Sequence, residues 1–197
     1  MKRLLAQGSV AASCYFRSSV EHPHRKALLQ ITERCNLHCA HCFVSAGNYG
    51  DTMQLETIRE TVIPRLKQCR VISVTLTGGE PFAHPDIIEI VRLLRTADIQ
   101  VSICTNATLI SIDQIETLAA VGNVHFNVSL DGFSPESHGK FRGDKDSFFT
   151  TIQTIQLLGQ RNLLKGLLTT PNSLASIEEY AEICDFAVQN RATYVLL

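Results

Sequence analysis

The chain has 197 residues, enough for one domain with a sizeable buried core. Hydrophobic residues make up 45% and charged residues 19%, and the net charge of −1 argues against a nucleic-acid or membrane-surface binder that works through a basic face. No apolar run is long enough to span a bilayer, and an odd count of seven cysteines, three of them crowded together, fits a reducing cytoplasm better than a disulfide framework.

Residues 1–26 read as an N-terminal arm or an added strand, because the apolar part of "MKRLLAQGSVAASC" is short and broken by Gln7, Gly8 and Ser9. Strand-like and helix-like segments then alternate over 27–197. "KALLQIT" predicts a strand, followed by a cysteine-bearing loop, and "QLETIRETVIPRLKQC" has helical spacing despite Pro64. "VISVTLT" predicts a strand and "HPDIIEIVRLLRTA" a helix with Pro85 in its first turn. "IQVSICTN" is a strand, and "SIDQIETLAAV" a helix capped by Ser111. "NVHFNVSL" and "DSFFTTIQTIQLLGQ" repeat the pattern, as do "LLKGLLTT" and "SIEEYAEICDFAVQN". "TYVLL" closes the series as a last strand.

Five strand–helix units and a sixth strand argue for an α/β fold with a parallel sheet and helical crossovers, either a partial barrel or an open doubly wound sheet. The strand patterns choose between them. Val124, Phe126, Val128 and Leu130 alternate with His125, Asn127 and Ser129; Ile99, Val101 and Ile103 alternate with Ser102, Cys104 and Asn106; Ile72, Val74 and Leu76 alternate with Ser73, Thr75 and Thr77. Strands covered by helices on both faces are usually apolar throughout. A polar face on three successive strands predicts a curved barrel, apolar outward beneath helices and polar in its lumen. The alternative is a sheet with one solvated face.

The stretch "ERCNLHCAHCFVSAG" places Cys35, Cys39 and Cys42 in a CxxxCxxC spacing. Three thiolates can ligate three irons of a cubane cluster and leave the fourth iron open to a substrate or cofactor. The alternatives are a zinc site completed by His38 or His41, or three reduced cysteines. A second signal is "TLTGGEPFAHPD", where Gly78 and Gly79 permit close backbone approach and Glu80 brings a carboxylate to a strand end. Both signals fall at the strand-end face where barrel active sites gather.

With "TNATLI", "VSLDG" and "HGKFRG", these motifs resemble the radical S-adenosylmethionine (SAM) superfamily, over nearly all of the chain from Ala27 onward. The combination is most similar to the SPASM and twitch-type branch, many of whose members modify peptides or proteins. The resemblance implies a partial (β/α)6 TIM-like barrel, a [4Fe–4S] cluster on Cys35, Cys39 and Cys42, and SAM chelating the open iron. It further implies that Gly78, Gly79 and Glu80 grip the methionine amino group. Ser129 would lie near the ribose and carboxylate, with Asp131 a second candidate there. Arg142 would pair with the carboxylate, Asn106 would reach ribose or substrate, and Phe43 would pack near the adenine. The implied reaction is reductive cleavage of SAM to a 5′-deoxyadenosyl radical that abstracts a hydrogen atom from a substrate. An electron donor such as flavodoxin or ferredoxin would supply the electron.

The position before the last cysteine is His41, where the family usually has an aromatic or apolar residue, and "LLKGLLTTPN" matches the family's adenine-contacting pattern only loosely. Other residues have plainer readings. Cys14, Cys69, Cys104 and Cys184 are scattered and read as buried thiols, with Cys104 placed to line the lumen. His22, His24, His84 and His138 sit in turns and read as surface or capping residues, and His125 as a satisfied histidine on the inner face. A peptide or protein substrate leads. A small-molecule substrate is the runner-up, and a non-catalytic zinc or iron–sulfur module is the rival from another class. The chain ends at about its sixth strand, without the C-terminal auxiliary region of SPASM-type relatives.

Overall fold

A computed structural model describes residues 25–197; the expected arm, with Cys14, His22 and His24, lies outside the described residues but for its last two positions. Six parallel strands pair strictly in chain order: β1 (Arg25–Thr32), β2 (Val71–Gly78), β3 (Gln100–Thr105), β4 (Val124–Ser129), β5 (Leu164–Leu168) and β6 (Tyr194–Leu196). A doubly wound sheet reverses its strand order at a switch point. This one does not, and it forms a partial (β/α)6 TIM-like barrel in which β1 and β6 are the two edges.

The crossovers are helical. The first, α1, runs in three contiguous pieces, Leu55–Thr57, Ile58–Val62 and Ile63–Gln68. Its middle piece winds as a π-turn directly before Pro64, which has no N–H to donate to the preceding turn. The others are α2 (Ile87–Thr96), α3 (Ile112–Val121), α4 (Ser147–Gln160) and α5 (Ile177–Gln189). Ser111 caps α3 in a reciprocal capping box with Gln114. Pro85 does not enter the first turn of α2. The chain bends sharply before it, with the Asp86 N–H donating to His84 Nδ1, and the helix starts two residues later than Pro85.

The helices bury one stripe each. In α2, Ile87, Ile90, Val91 and Leu94 follow the i, i+3, i+4, i+7 spacing of a helix face. They pack in one core with Val74, Leu76, Val101, Ile103, Phe126 and Val128 from the strands, and with Ile115, Leu118, Ile155 and Leu158 from α3 and α4. The apolar strand positions therefore lie outward beneath helices, and the alternate positions Thr77, Cys104 and Ser129 line an interior cavity. Fully burying one such side chain contributes about 1.5–3 kcal/mol.

Deeper in the lumen, β5 slips register so that Phe126 opposes Leu164 while Asn127 opposes Gly166. The missing side chain of Gly166 leaves room for the Tyr194 ring, whose hydroxyl donates to Asn127 Oδ1 at 2.6 Å. A Cβ on Gly166 would stand 2.4 Å from that ring.

Candidate functional site

The C-terminal ends of the strands carry the site. Beyond Thr32 the chain forms a loop whose arms are tied together. Glu33 N–H donates to Asp51 O (2.8 Å), Cys35 N–H to Gly47 O (2.7 Å) and Met53 N–H to Ile31 O (2.9 Å). The exit of β2 continues its pairing into this loop, with Gly79 N–H on Thr32 O and Glu80 N–H on Arg34 O, both at 2.8 Å. That approach requires glycine. Gly78 has φ +137°, with a Cβ there 2.1 Å from Thr32 O, and a Cβ on Gly79 would stand 2.2 Å from Arg34 O.

The three thiols are unpaired, and each sulfur accepts from a nitrogen. Cys35 Sγ receives Leu37 N–H (3.4 Å) and Asn106 Nδ2 (3.8 Å), Cys39 Sγ receives Arg142 Nη1 (3.7 Å), and Cys42 Sγ receives Ala46 N–H (3.3 Å). Burial pushes the Cys35 and Cys39 thiols up from their ordinary value, and the Arg142 guanidinium opposes this at Cys39. A bound cation reverses that balance and favours thiolate.

All three cysteines face one cavity of about 360 Å³, whose walls also include Gly78, Gly79, Asn106, Ser129 and Arg142. Phe43 stands at the cavity's edge and is 90% exposed. Asn106 is fixed by neighbours. Its Nδ2 also donates to Asn36 Oδ1 (3.1 Å), and its Oδ1 accepts from Thr108 N–H (2.9 Å) and Oγ1 (2.8 Å).

Two expected site residues take other places. Glu80 is not at the cavity wall. It is 1% exposed and lies behind the wall, where its carboxylate accepts from Phe82 N–H (3.1 Å), Thr105 Oγ1 (2.6 Å) and Asn106 N–H (2.7 Å). Burial pushes its carboxyl up, while those three donors and the Arg142 charge hold it down. Asp131 is also absent from the wall. It is fully buried, pairs with Arg142 Nε through Oδ2 (2.5 Å), and accepts Thr170 N–H on Oδ1 (2.7 Å).

The plainer readings also shift. His84 is buried, not on the surface, with Nε2 2.8 Å from Met53 O. His138 is buried too, accepting Asp131 N–H at 3.1 Å, and burial with the nearby Arg142 charge lowers its pKa to about 4. Cys69 and Cys184 are exposed, not buried, whereas Cys104 borders the cavity, as its place on the lumen face predicts. Leu168, Thr169 and Thr170 also stand at the cavity wall, in the segment whose loose match to the adenine-contacting pattern kept it out of the expected site. Sequence reasoning missed the helical turns Pro135–Gly139 and Lys140–Arg142, which carry His138 and Arg142. The capping pair Ser134 and Ser137, with Pro135 at the first turn, was the available signal.

The donor set fits an iron–sulfur cluster. Three thiols border one cavity whose wall, among the described residues, holds no carboxylate. Among the described residues no three His, Cys, Asp or Glu side chains converge on a point suited to a single metal ion. Thiolates of one cubane each take a different iron and need no such convergence. Among the described residues neither His38 nor His41 joins the cysteines in a group suited to a single zinc ion, and the His41 ring stacks on Phe141 at 4.4 Å.

The profile of the radical SAM superfamily matches residues 29–187. The chain is 34% identical over 139 residues to the antilisterial bacteriocin subtilosin biosynthesis protein AlbA of Bacillus subtilis, covering 70% of this chain and 31% of AlbA. It is 31% identical over 159 residues to the AdoMet-dependent heme synthase of Methanosarcina barkeri, covering 80% of this chain and 45% of that protein. It thus spans less than half the length of these curated relatives. Its fold matches that of Streptococcus suis SuiB, solved with its precursor peptide SuiA, with a TM-score of 0.73 at 21% identity over 87% of this chain and 38% of SuiB. The chain belongs to the radical SAM superfamily, and membership implies a [4Fe–4S] cluster and S-adenosylmethionine as its cofactors.

Proposed function

We propose that this chain is the core of a radical SAM enzyme that acts on a peptide or protein. The observation that carries the reading is a single cavity bordered by three unpaired cysteines, a double-glycine turn and a buried arginine. Cys35, Cys39 and Cys42 would hold the cluster, and Gly78, Gly79, Asn106, Ser129, Arg142 and Phe43 would hold SAM. Bound there, cluster and SAM supply reductive cleavage of a carbon–sulfur bond and, through it, hydrogen-atom abstraction from substrate.

The chain's own residues bind and orient. The glycine turn lets backbone carbonyls approach an amino group, and Arg142 offers a planar cation to a carboxylate. The Ser129 hydroxyl offers a donor and an acceptor to a sugar. Glu80 and Asp131 act one step back, holding Asn106 and Arg142 in place. Leu37, Val44 and Leu168 give the cavity an apolar lining that excludes water.

The peptide reading is supported by AlbA, named for biosynthesis of a bacteriocin, and agrees with the precursor peptide on SuiB, which by itself speaks to fold alone. A second reading, a small-molecule substrate, is favoured by the similarity to heme synthase. The electron donor would be a flavodoxin or ferredoxin. Six cysteines among the described residues are unpaired, which supports a reducing cytoplasm, and no described helix is long and apolar enough to cross a membrane.

The test is anaerobic reconstitution followed by dithionite and SAM. The chain should take up a [4Fe–4S] cluster and release 5′-deoxyadenosine, and replacing the three cysteines with Ala should abolish both. A cluster surviving in that triple variant, or a loaded chain whose EPR signal ignores SAM and which makes no 5′-deoxyadenosine, refutes the reading. Peptides that stimulate turnover support the first substrate class, and tetrapyrroles that do so support the second.

A further inference from the structure

The three cysteine sulfurs do not have equivalent surroundings. Cys35 and Cys42 receive neutral donors, from Leu37, Asn106 and Ala46. Cys39 alone receives a cation, Arg142 Nη1 at 3.7 Å. That cation is 9% exposed and bound at 2.5 Å to Asp131, itself fully buried and held by Thr170 N–H. Neither charge is screened by bulk water, so each acts on its surroundings more strongly than a surface charge would.

The pair is fixed by contacts that involve no ligand. Ala40 N–H donates to Phe141 O (3.1 Å), and His41 stacks on Phe141. Gly143, at φ +81°, lies so close to residue 38 that a Cβ would stand 2.7 Å from His38 O. The backbone on both sides of Arg142 is therefore locked to the cysteine loop before any cofactor arrives. Arginine has five N–H donors. One serves Asp131 and one Cys39, and the rest of the guanidinium remains to face the cavity.

We propose that Asp131 and Arg142 together set the reduction potential of the cluster, with Arg142 a donor to the Cys39 sulfur and Asp131 a positioning residue that limits how much of its charge the sulfur feels. This rests on the cysteines holding the cluster. Hydrogen bonds and net charge at the sulfurs are established levers on cluster potential. Reduction adds one negative charge, so Arg142 favours the reduced state and Asp131 opposes it.

The test is a redox titration, read by EPR, of the reconstituted 197-residue chain without SAM. Arg142→Gln should lower the ratio of reduced to oxidised cluster at a fixed potential on the order of tenfold, a fall of about 59 mV for a one-electron couple. Asp131→Asn keeps an acceptor for Arg142 Nε, removes the counter-charge, and should raise the potential. If Arg142 served only to pair with the SAM carboxylate, neither midpoint would move in the absence of SAM. Unchanged midpoints, or shifts of the same sign, overturn the inference. Should Arg142→Gln fail to load a cluster, Asp131→Asn decides alone, a rise supporting the inference and no rise overturning it. A wild-type chain that takes up no cluster refutes instead the reading beneath it.

Discussion

Replacing Glu80 with Ala separates two roles that the sequence leaves merged. Glu80 is 1% exposed, and its carboxylate is the acceptor for Phe82 N–H, Asn106 N–H and the Thr105 hydroxyl. Leaving one buried donor unsatisfied costs about 1–3 kcal/mol. The two backbone N–H groups cannot turn away, whereas the hydroxyl can. Removing the carboxylate also relieves its own desolvation, which offsets part of the loss. The expected net effect is a destabilisation of about 3 kcal/mol, present without iron and without SAM. Urea unfolding of the apo chain followed by circular dichroism measures it. Glu80→Gln, which retains one acceptor oxygen and places an NH₂ against a donor, should fall between wild type and Ala. If Glu80→Ala leaves apo stability within about 0.5 kcal/mol of wild type and weakens only SAM binding, the carboxylate turns into the cavity and the reasoning is wrong.

The buried His138 makes stability depend on pH. Its folded pKa of about 4 lies below the ordinary 6.5, so the unfolded chain binds the proton first. The contribution is complete above 6.5 and is lost as pH falls toward 4, amounting to about 2 kcal/mol by pH 5; urea midpoints of the apo chain at pH 7 and 5 should show it, and His138→Gln should flatten it. Gly143→Ala forces a side chain to φ +81° and against His38 O, which should cost about 1–2 kcal/mol and lower the iron bound per chain on reconstitution. His125→Ala and Asn127→Ala should leave uncoupled SAM cleavage nearly intact while lowering product per SAM consumed several-fold, measured by paired chromatography of 5′-deoxyadenosine and product. Equal losses in both quantities would place these residues with SAM rather than with substrate.

The barrel was legible because its cause is written as period. Phe126 and Val128 alternate with Asn127 and Ser129, and a helix such as α2 repeats Ile87, Ile90, Val91 and Leu94 on one face. The cysteine spacing and double glycine were legible too, since both are local. What the sequence hid was direction. Glu80 and Asp131 stand at the strand ends where site residues gather, yet each turns its carboxylate toward donors that lie far off in sequence. Helix ends were legible from where the apolar period stops, without the usual stop residue. Arg70, Asp98, Asn162 and Arg191 follow their helices at positive φ, where a stop signal is ordinarily glycine. His84 and His138 sit beside prolines and serines that suggest exposed turns, and only tertiary packing buries them.

The cysteine loop is gripped from two sides by segments that come much later in the chain. Asn36 and Cys35 meet Asn106, and Ala40 and Cys39 meet Phe141 and Arg142. During vectorial synthesis the three cysteines emerge early, but the scaffold that aims them is complete only once Gly143 has left the ribosome. A nascent chain shorter than that presents three mobile thiols with no fixed relation to one another. Insertion of a cluster on these cysteines, as proposed, would thereby wait for a late stage of biogenesis, and thiols that emerge early would have to stay reduced through the interval.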